Sequence, residues 1–77
     1  MENLLDISFE AIRYFLSVAK YGSISRAANV LKISQSALSQ SMKNLEEHLG
    51  ITLFNRNTRG VILTEEGKVL FSLADGK

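Results

Sequence analysis

Between Ser34 and Lys43 the chain carries Ser34, Gln35, Ser36, Ser39, Gln40 and Lys43 in ten residues, with no carboxylate among them. Hydroxyls and carboxamides both donate and accept hydrogen bonds, and Lys adds a positive charge. Such a set suits an anionic surface rich in donors and acceptors. Arg26 lies upstream, and Arg56 and Arg59 lie downstream. These groups recognise; they do not transform. A catalytic reading lacks its parts. There is no cysteine and a single histidine, His48, so neither a nucleophile–base pair nor a Cys/His metal site is expected. Glu46 and Glu47 are neighbours, and neighbours on a helix point about 100° apart, so they cannot share one acid–base task. They read as structural or solvated groups. The serines read as helix caps and hydrogen-bonding groups. No cofactor and no metal are expected.

Charge supports the recognition reading once it is resolved along the chain. The formal net charge is only +1 over 77 residues. From Lys20 to Leu45, however, the chain holds Lys20, Arg26, Lys32 and Lys43 and no acid. Asn55 to Thr64 adds Arg56 and Arg59, again with no acid. The acids sit elsewhere, at Glu2, Asp6, Glu10, Glu46, Glu47, Glu65, Glu66 and Asp75. Segregated bases are how a small domain presents a positive face to phosphate. The length allows one small domain, folded by close packing without a disulfide staple. No apolar run reaches the roughly 18–20 residues needed to cross a membrane. Met1 to Asp6 is acidic and is not expected to be a secretory signal. A cytoplasmic protein is expected.

The elements that must position these groups follow from periodicity. Phe9, Ile12, Phe15, Leu16 and Ala19 recur at helical spacing between a cap at Ser8 and a stop at Gly22. Ser23 starts a second, short helix whose apolar face is Ile24, Ala27, Ala28 and Leu31. Its alanine pair lets another helix approach closely. Ser34 caps a third helix, about 35–49, which stops at Gly50. Leu38, Met42, Leu45 and Leu49 fall within an arc of about 60° on it. Ser36, Ser39, Gln40 and Lys43 form a separate polar stripe. Thr52-Leu53-Phe54 and Val61-Ile62-Leu63 predict two short strands, with Asn55 to Gly60 as a polar link and Phe54 and Leu63 as anchors. Thr64, followed by Glu65 and Glu66, predicts a last helix with Val69, Leu70, Leu73 and Ala74 at helical spacing.

The fold class is therefore mainly α with a small β-hairpin. Two helices joined by a tight turn make a helix-turn-helix, whose second helix enters the DNA major groove with its N-terminal residues at the base edges. Gln pairs bidentately with adenine, and Ser hydrogen-bonds any base. Ser34 marks a helix N-terminus, where a phosphate binds readily. Arg59, beside the hairpin tip, can reach backbone or minor groove.

Several blocks of the chain carry a family resemblance. They are Gly22-Ser23-Ile24-Ser25-Arg26-Ala27-Ala28, Ser34-Gln35-Ser36-Ala37-Leu38-Ser39, Leu45-Glu46-Glu47-His48-Leu49-Gly50, Leu53-Phe54-Asn55-Arg56 and Arg59-Gly60-Val61-Ile62-Leu63-Thr64-Glu65-Glu66-Gly67. In this order the chain resembles, over about residues 9–74, the N-terminal DNA-binding domain of LysR-type bacterial transcriptional regulators. The resemblance implies a winged helix-turn-helix over residues 1–63 and the start of a linker helix over 64–77. It implies that Gln35, Ser36, Ser39, Gln40 and Lys43 face the major groove, with Arg56 and Arg59 in the wing. It implies a homodimer through the helix from Thr64, weakened by truncation. It also implies an effector-binding domain that takes the small-molecule inducer. That domain is absent from these 77 residues, so the chain is expected to be a fragment or an unusually short relative. Two positions depart from the family pattern. Ser36 stands where Pro is usual, and Gln40 stands where Arg is frequent, which shifts the expected base from guanine toward adenine.

The expected partner is a double-stranded DNA operator, contacted by Arg26, Ser34, Gln35, Ser36, Ser39, Gln40, Lys43, Arg56 and Arg59. A winged-helix module that binds protein instead of DNA is the alternative. It would place aromatic or aliphatic anchors on the polar stripe of the third helix.

Overall fold

The computed structural model describes residues 8–57 and 60–75. Its element order is α1 (Phe9–Tyr21), α2 (Ile24–Leu31), α3 (Gln35–Leu49), β1 (Phe54–Asn57), β2 (Gly60–Leu63) and α4 (Glu65–Asp75). Met1 to Asp6, Arg59 and Lys77 lie outside the described residues.

Each of the first three helices starts on a serine that satisfies an otherwise orphaned amide of the first turn. Ser8 Oγ accepts from Ala11 N at 3.0 Å, Ser23 Oγ from Arg26 N at 3.2 Å, and Ser34 Oγ from Ala37 N at 3.0 Å. Helices α1 and α3 end on Gly22 and Gly50, both left-handed at φ 65° and 72°. Helix α2 ends instead on Lys32, also left-handed at φ 62°. A side chain there costs of order 1 kcal/mol in backbone strain. Its amide bonds the Ala28 and Asn29 carbonyls, which closes the tight turn into α3.

The core draws on the first three helices and the hairpin. Phe15 and Val18 come from α1, Ala27 and Ala28 from α2, Leu38, Met42 and Leu45 from α3, Leu53 from the segment before β1, and Phe54 and Val61 from the hairpin, with Leu70 and Phe71 of α4 packed half-buried against it. The rings of Phe15 and Phe54 lie 5.4 Å apart and tilted, so α1 supports the hairpin directly. The small Ala27 and Ala28 are fully buried, consistent with close packing of α2 on its neighbours.

Three expectations need correction or extension. The ladder runs through the supposed polar link: Phe54 pairs with Leu63, Asn55 with Ile62, Arg56 with Val61 and Asn57 with Gly60. Arg56 therefore sits on a strand. Thr52 and Leu53 precede it, and the Leu53 amide and carbonyl bond Glu46 and Thr64 instead of a ladder partner. Second, Phe54 anchors the hairpin as expected and Leu63 packs half-buried on the core, but Leu53 and Val61 are buried with them. Third, Phe9, Val69 and Leu73 do not face this core; they are 95%, 61% and 75% exposed. Phe9 is the first residue of α1. On α4 it is Leu70 and Phe71 that pack inward.

Thr64 fixes where α4 begins. Its hydroxyl donates to the Thr52 carbonyl at 2.6 Å and accepts from Gly67 N at 2.9 Å, while its amide donates to the Leu53 carbonyl at 2.9 Å. Gly67 is buried against that same carbonyl, where a Cβ would collide.

Candidate nucleic-acid interface

Helix α3 divides its surface between two tasks. Leu38, Met42 and Leu45 are buried, whereas Gln35, Ser36, Gln40 and Lys43 are exposed and Ser39 is half-exposed. The hairpin rises beside this polar face. Between them lies an open cleft of about 460 Å³ lined by Ser36, Ser39, Gln40, Lys43, Glu46 and Arg56. Five of those six are residues singled out from the sequence. Arg56 crosses the cleft and donates from Nη2 to Ser39 Oγ at 3.4 Å. That is a weak bond at the edge of good geometry, so the guanidinium keeps most of its donors free.

The other expected residues lie around this cleft. Gln35 and Ser36 open α3, and by helix geometry the first-turn amides have no intrahelical partner. Ser34 spends its acceptor on the cap and lies 3.3 Å from Ser36 Oγ. Its hydroxyl thus shapes the helix N-terminus. Arg26 is exposed on α2 and does not line the cleft. Arg59 lies outside the described residues, although its neighbour Gly60 pairs with Asn57 at the distal end of the ladder.

Two residues that sequence reasoning left aside belong to this surface. Glu46 lies at the cleft and half-buried. Its Oε2 accepts from Leu53 N at 2.7 Å and from Phe54 N at 3.2 Å. The carboxylate therefore ties the last turns of α3 to the start of β1. It sets the height of the wing over the helix without presenting a free anion to the cleft. Glu47, its neighbour, is exposed, which separates the structural acid from the solvated one. Asn44 is exposed one turn beyond Gln40 and accepts from its Nε2 at 2.8 Å. The signal for this pair was present as an i, i+4 Gln–Asn spacing.

The hairpin is held from the other side as well. Val61 N donates to the Gly22 carbonyl at 3.1 Å, at the corner between α1 and α2. Gly60, at φ 143°, lies so close to that carbonyl that a Cβ would collide with it. The wing is thus fixed at α3 by Glu46 and at the α1–α2 corner by a backbone bond.

Three helices, a tight turn before the third, and an antiparallel hairpin beside that third helix define a winged helix-turn-helix. A profile of the lysR family of bacterial regulatory helix-turn-helix proteins matches residues 9–68. The chain belongs to that family. Among curated relatives, it is 52% identical over 60 residues to the HTH-type transcriptional regulator BudR of Klebsiella aerogenes, covering 78% of this chain and 42% of BudR. It is 48% identical over 65 residues to the regulator CrgA of Neisseria meningitidis, covering 84% of this chain and 22% of CrgA. The chain thus spans less than half the length of these relatives. Among solved structures, the BenM DNA-binding domain in complex with catB site 1 DNA superposes with a TM-score of 0.85 at 40% identity, over 88% of this chain and 76% of that one. The CbnR DNA-binding domain–DNA complex gives 0.85 at 35% identity, over 88% and 78%.

Proposed function

We propose that this chain is the DNA-reading domain of a LysR-type transcriptional regulator and binds double-stranded DNA sequence-specifically. The observation that carries the reading is the cleft in which an acid-free polar stripe of α3 meets Arg56 of the wing. Helix α3 enters the major groove, with Gln35, Ser36, Ser39 and Gln40 at base edges and Lys43 at base or phosphate. Arg56 and Arg59 in the wing take backbone or minor groove, Arg26 takes phosphate, and Ser34 presents the N-terminus of α3 to a phosphate. Two solved relatives of the same fold are complexes with DNA, which supports this docking.

The protein-binding alternative receives no support on α3. The exposed apolar side chains lie on α2, around the hairpin, at Phe9 and on α4. Val69 and Leu73, one turn apart on α4, suit a second copy of the chain. A homodimer through α4 is accordingly part of the proposal, and its operator has matching half-sites. The curated relatives are regulators, and no catalysis is assigned. Among the described residues no helix is long and apolar enough to cross a membrane. We place the protein in the cytoplasm, on the nucleoid when bound. Any response to a small molecule belongs to an effector domain outside these 77 residues.

Selection of bound duplexes from a random pool, repeated at several salt concentrations, tests the reading. A recovered consensus with a steep salt dependence is expected. Binding without sequence enrichment at any salt concentration overturns specific readout.

A further inference from the structure

We propose that Asn44 sets the orientation of the Gln40 carboxamide and so makes Gln40 a reader of adenine rather than of either purine. The inference rests on α3 being the groove helix. Gln40 sits about 170° around the helix from the centre of the buried stripe, so it is the outermost side chain of the polar face. Its Nε2 donates to Asn44 Oδ1 at 2.8 Å, a short bond between two exposed side chains.

A carboxamide has one accepting oxygen and two N–H donors on its nitrogen. Adenine shows an acceptor at N7 and a donor at N6, whereas guanine shows acceptors at N7 and O6. A freely turning Gln can offer its amino end to either purine. The Gln40–Asn44 bond biases the carboxamide against that turn. With the N–H anti to Oε1 given to Asn44, what remains for a base is the N–H beside the carbonyl oxygen. That pair matches adenine N7 and N6. Against guanine it sets the carbonyl oxygen against O6, acceptor facing acceptor. The same bond favours one geometry of a long side chain before binding, which lowers the cost of ordering it on DNA. Asn44 is a positioning residue here: it acts on the base through Gln40.

The test uses the 77-residue chain and the duplex recovered by random-pool selection. Gln40→Ala identifies the position that Gln40 reads, as the one whose base preference disappears. The preference of the parent there is expected to be adenine over guanine, by roughly tenfold, the low-to-middle range for one bidentate pair. Asn44→Ala should leave the helix content unchanged by circular dichroism, because Asn44 is exposed. It should shrink the adenine preference at that position to about two- to threefold, mainly by improving the guanine duplex. Asn44→Asp keeps an acceptor for Gln40 Nε2, so it should retain the preference while lowering affinity for every duplex through its added charge. In a Gln40→Ala background, Asn44→Ala should no longer change the preference.

Distinct failures separate the two layers of the reading. If Gln40→Ala leaves all base preferences intact, Gln40 reads no base, and both this inference and that part of the docking fall. If Gln40→Ala erases a preference that Asn44→Ala leaves at its full size, the inference alone falls. A guanine preference in the parent, or a larger adenine preference in Asn44→Ala, would mean the pair is turned the other way, and overturns it too.

Discussion

Glu46 offers the sharpest test of how the wing is held. Its Oε2 accepts two backbone amides, from Leu53 at 2.7 Å and Phe54 at 3.2 Å. Hydrogen bonds to a charged group contribute about 1.5–3 kcal/mol each when well made, and an amide left without a partner costs about 1–3 kcal/mol. Glu46 is half-buried, so water replaces part of what is lost. The longer bond also counts for less than the shorter. Glu46→Ala is therefore expected to destabilise the chain by about 2–3 kcal/mol. Glu46→Gln keeps one accepting oxygen without the charge and should cost roughly half of that. A 77-residue domain has about 4–11 kcal/mol in total, so Glu46→Ala removes a large share. Urea unfolding followed by circular dichroism reads this as a fall in midpoint of roughly 2 M or more, taking a slope near 1 kcal/mol/M for so small a chain. Glu47→Ala is the control, and as an exposed substitution it should stay within about 0.5 kcal/mol of the parent. A Glu46→Ala midpoint as close to the parent as that of Glu47→Ala would refute the claim that this carboxylate fastens β1 to α3.

Three other outcomes follow from the same geometry. Arg56→Ala and Arg59→Ala should each weaken binding to all duplexes alike and reduce the salt slope by about 1, as measured by fluorescence anisotropy across salt concentrations; an unchanged slope sinks the wing's phosphate role. Gly67→Ala should lower the thermal midpoint by several degrees, since its Cβ would meet the Leu53 carbonyl, a backbone atom that cannot swing away. A midpoint equal to the parent's would show that α4 sits less tightly on the hairpin than described. Self-association of the 77-residue chain should be weak by sedimentation and should be abolished by Leu73→Glu with the fold intact; a tight dimer, or one indifferent to Leu73→Glu, contradicts the α4 interface.

Much of the fold was legible in the chain because helix ends are local events. Ser8, Ser23 and Ser34 each bond an amide three residues on, and Gly22 and Gly50 need only their own backbone freedom. Such signals lie within a few residues and need no tertiary contact to be read. The strands were less legible. Asn55, Arg56 and Asn57 are poor strand formers, yet the ladder takes them in, because pairing to Gly60, Val61 and Ile62 outweighs their propensity. The exposed half of α4 was also hidden: Val69 and Leu73 share the helical spacing of Leu70 and Ala74, and spacing alone does not say that Leu70 and Phe71 are the ones that meet the core.

The recognition surface divides along the same line. The polar, acid-free stripe of α3 and the basic character of the wing were set by residue type and by 3.6-residue periodicity, so the sequence alone determined what kind of ligand this surface suits. The tertiary structure decided how that surface is assembled. The Arg56–Ser39 contact spans 17 positions, and the Glu46 bonds to Leu53 and Phe54 cross the turn after Gly50. Neither can be inferred from periodicity, because both exist only once Phe15, Leu53, Phe54 and Val61 have closed the core and drawn the hairpin down beside α3.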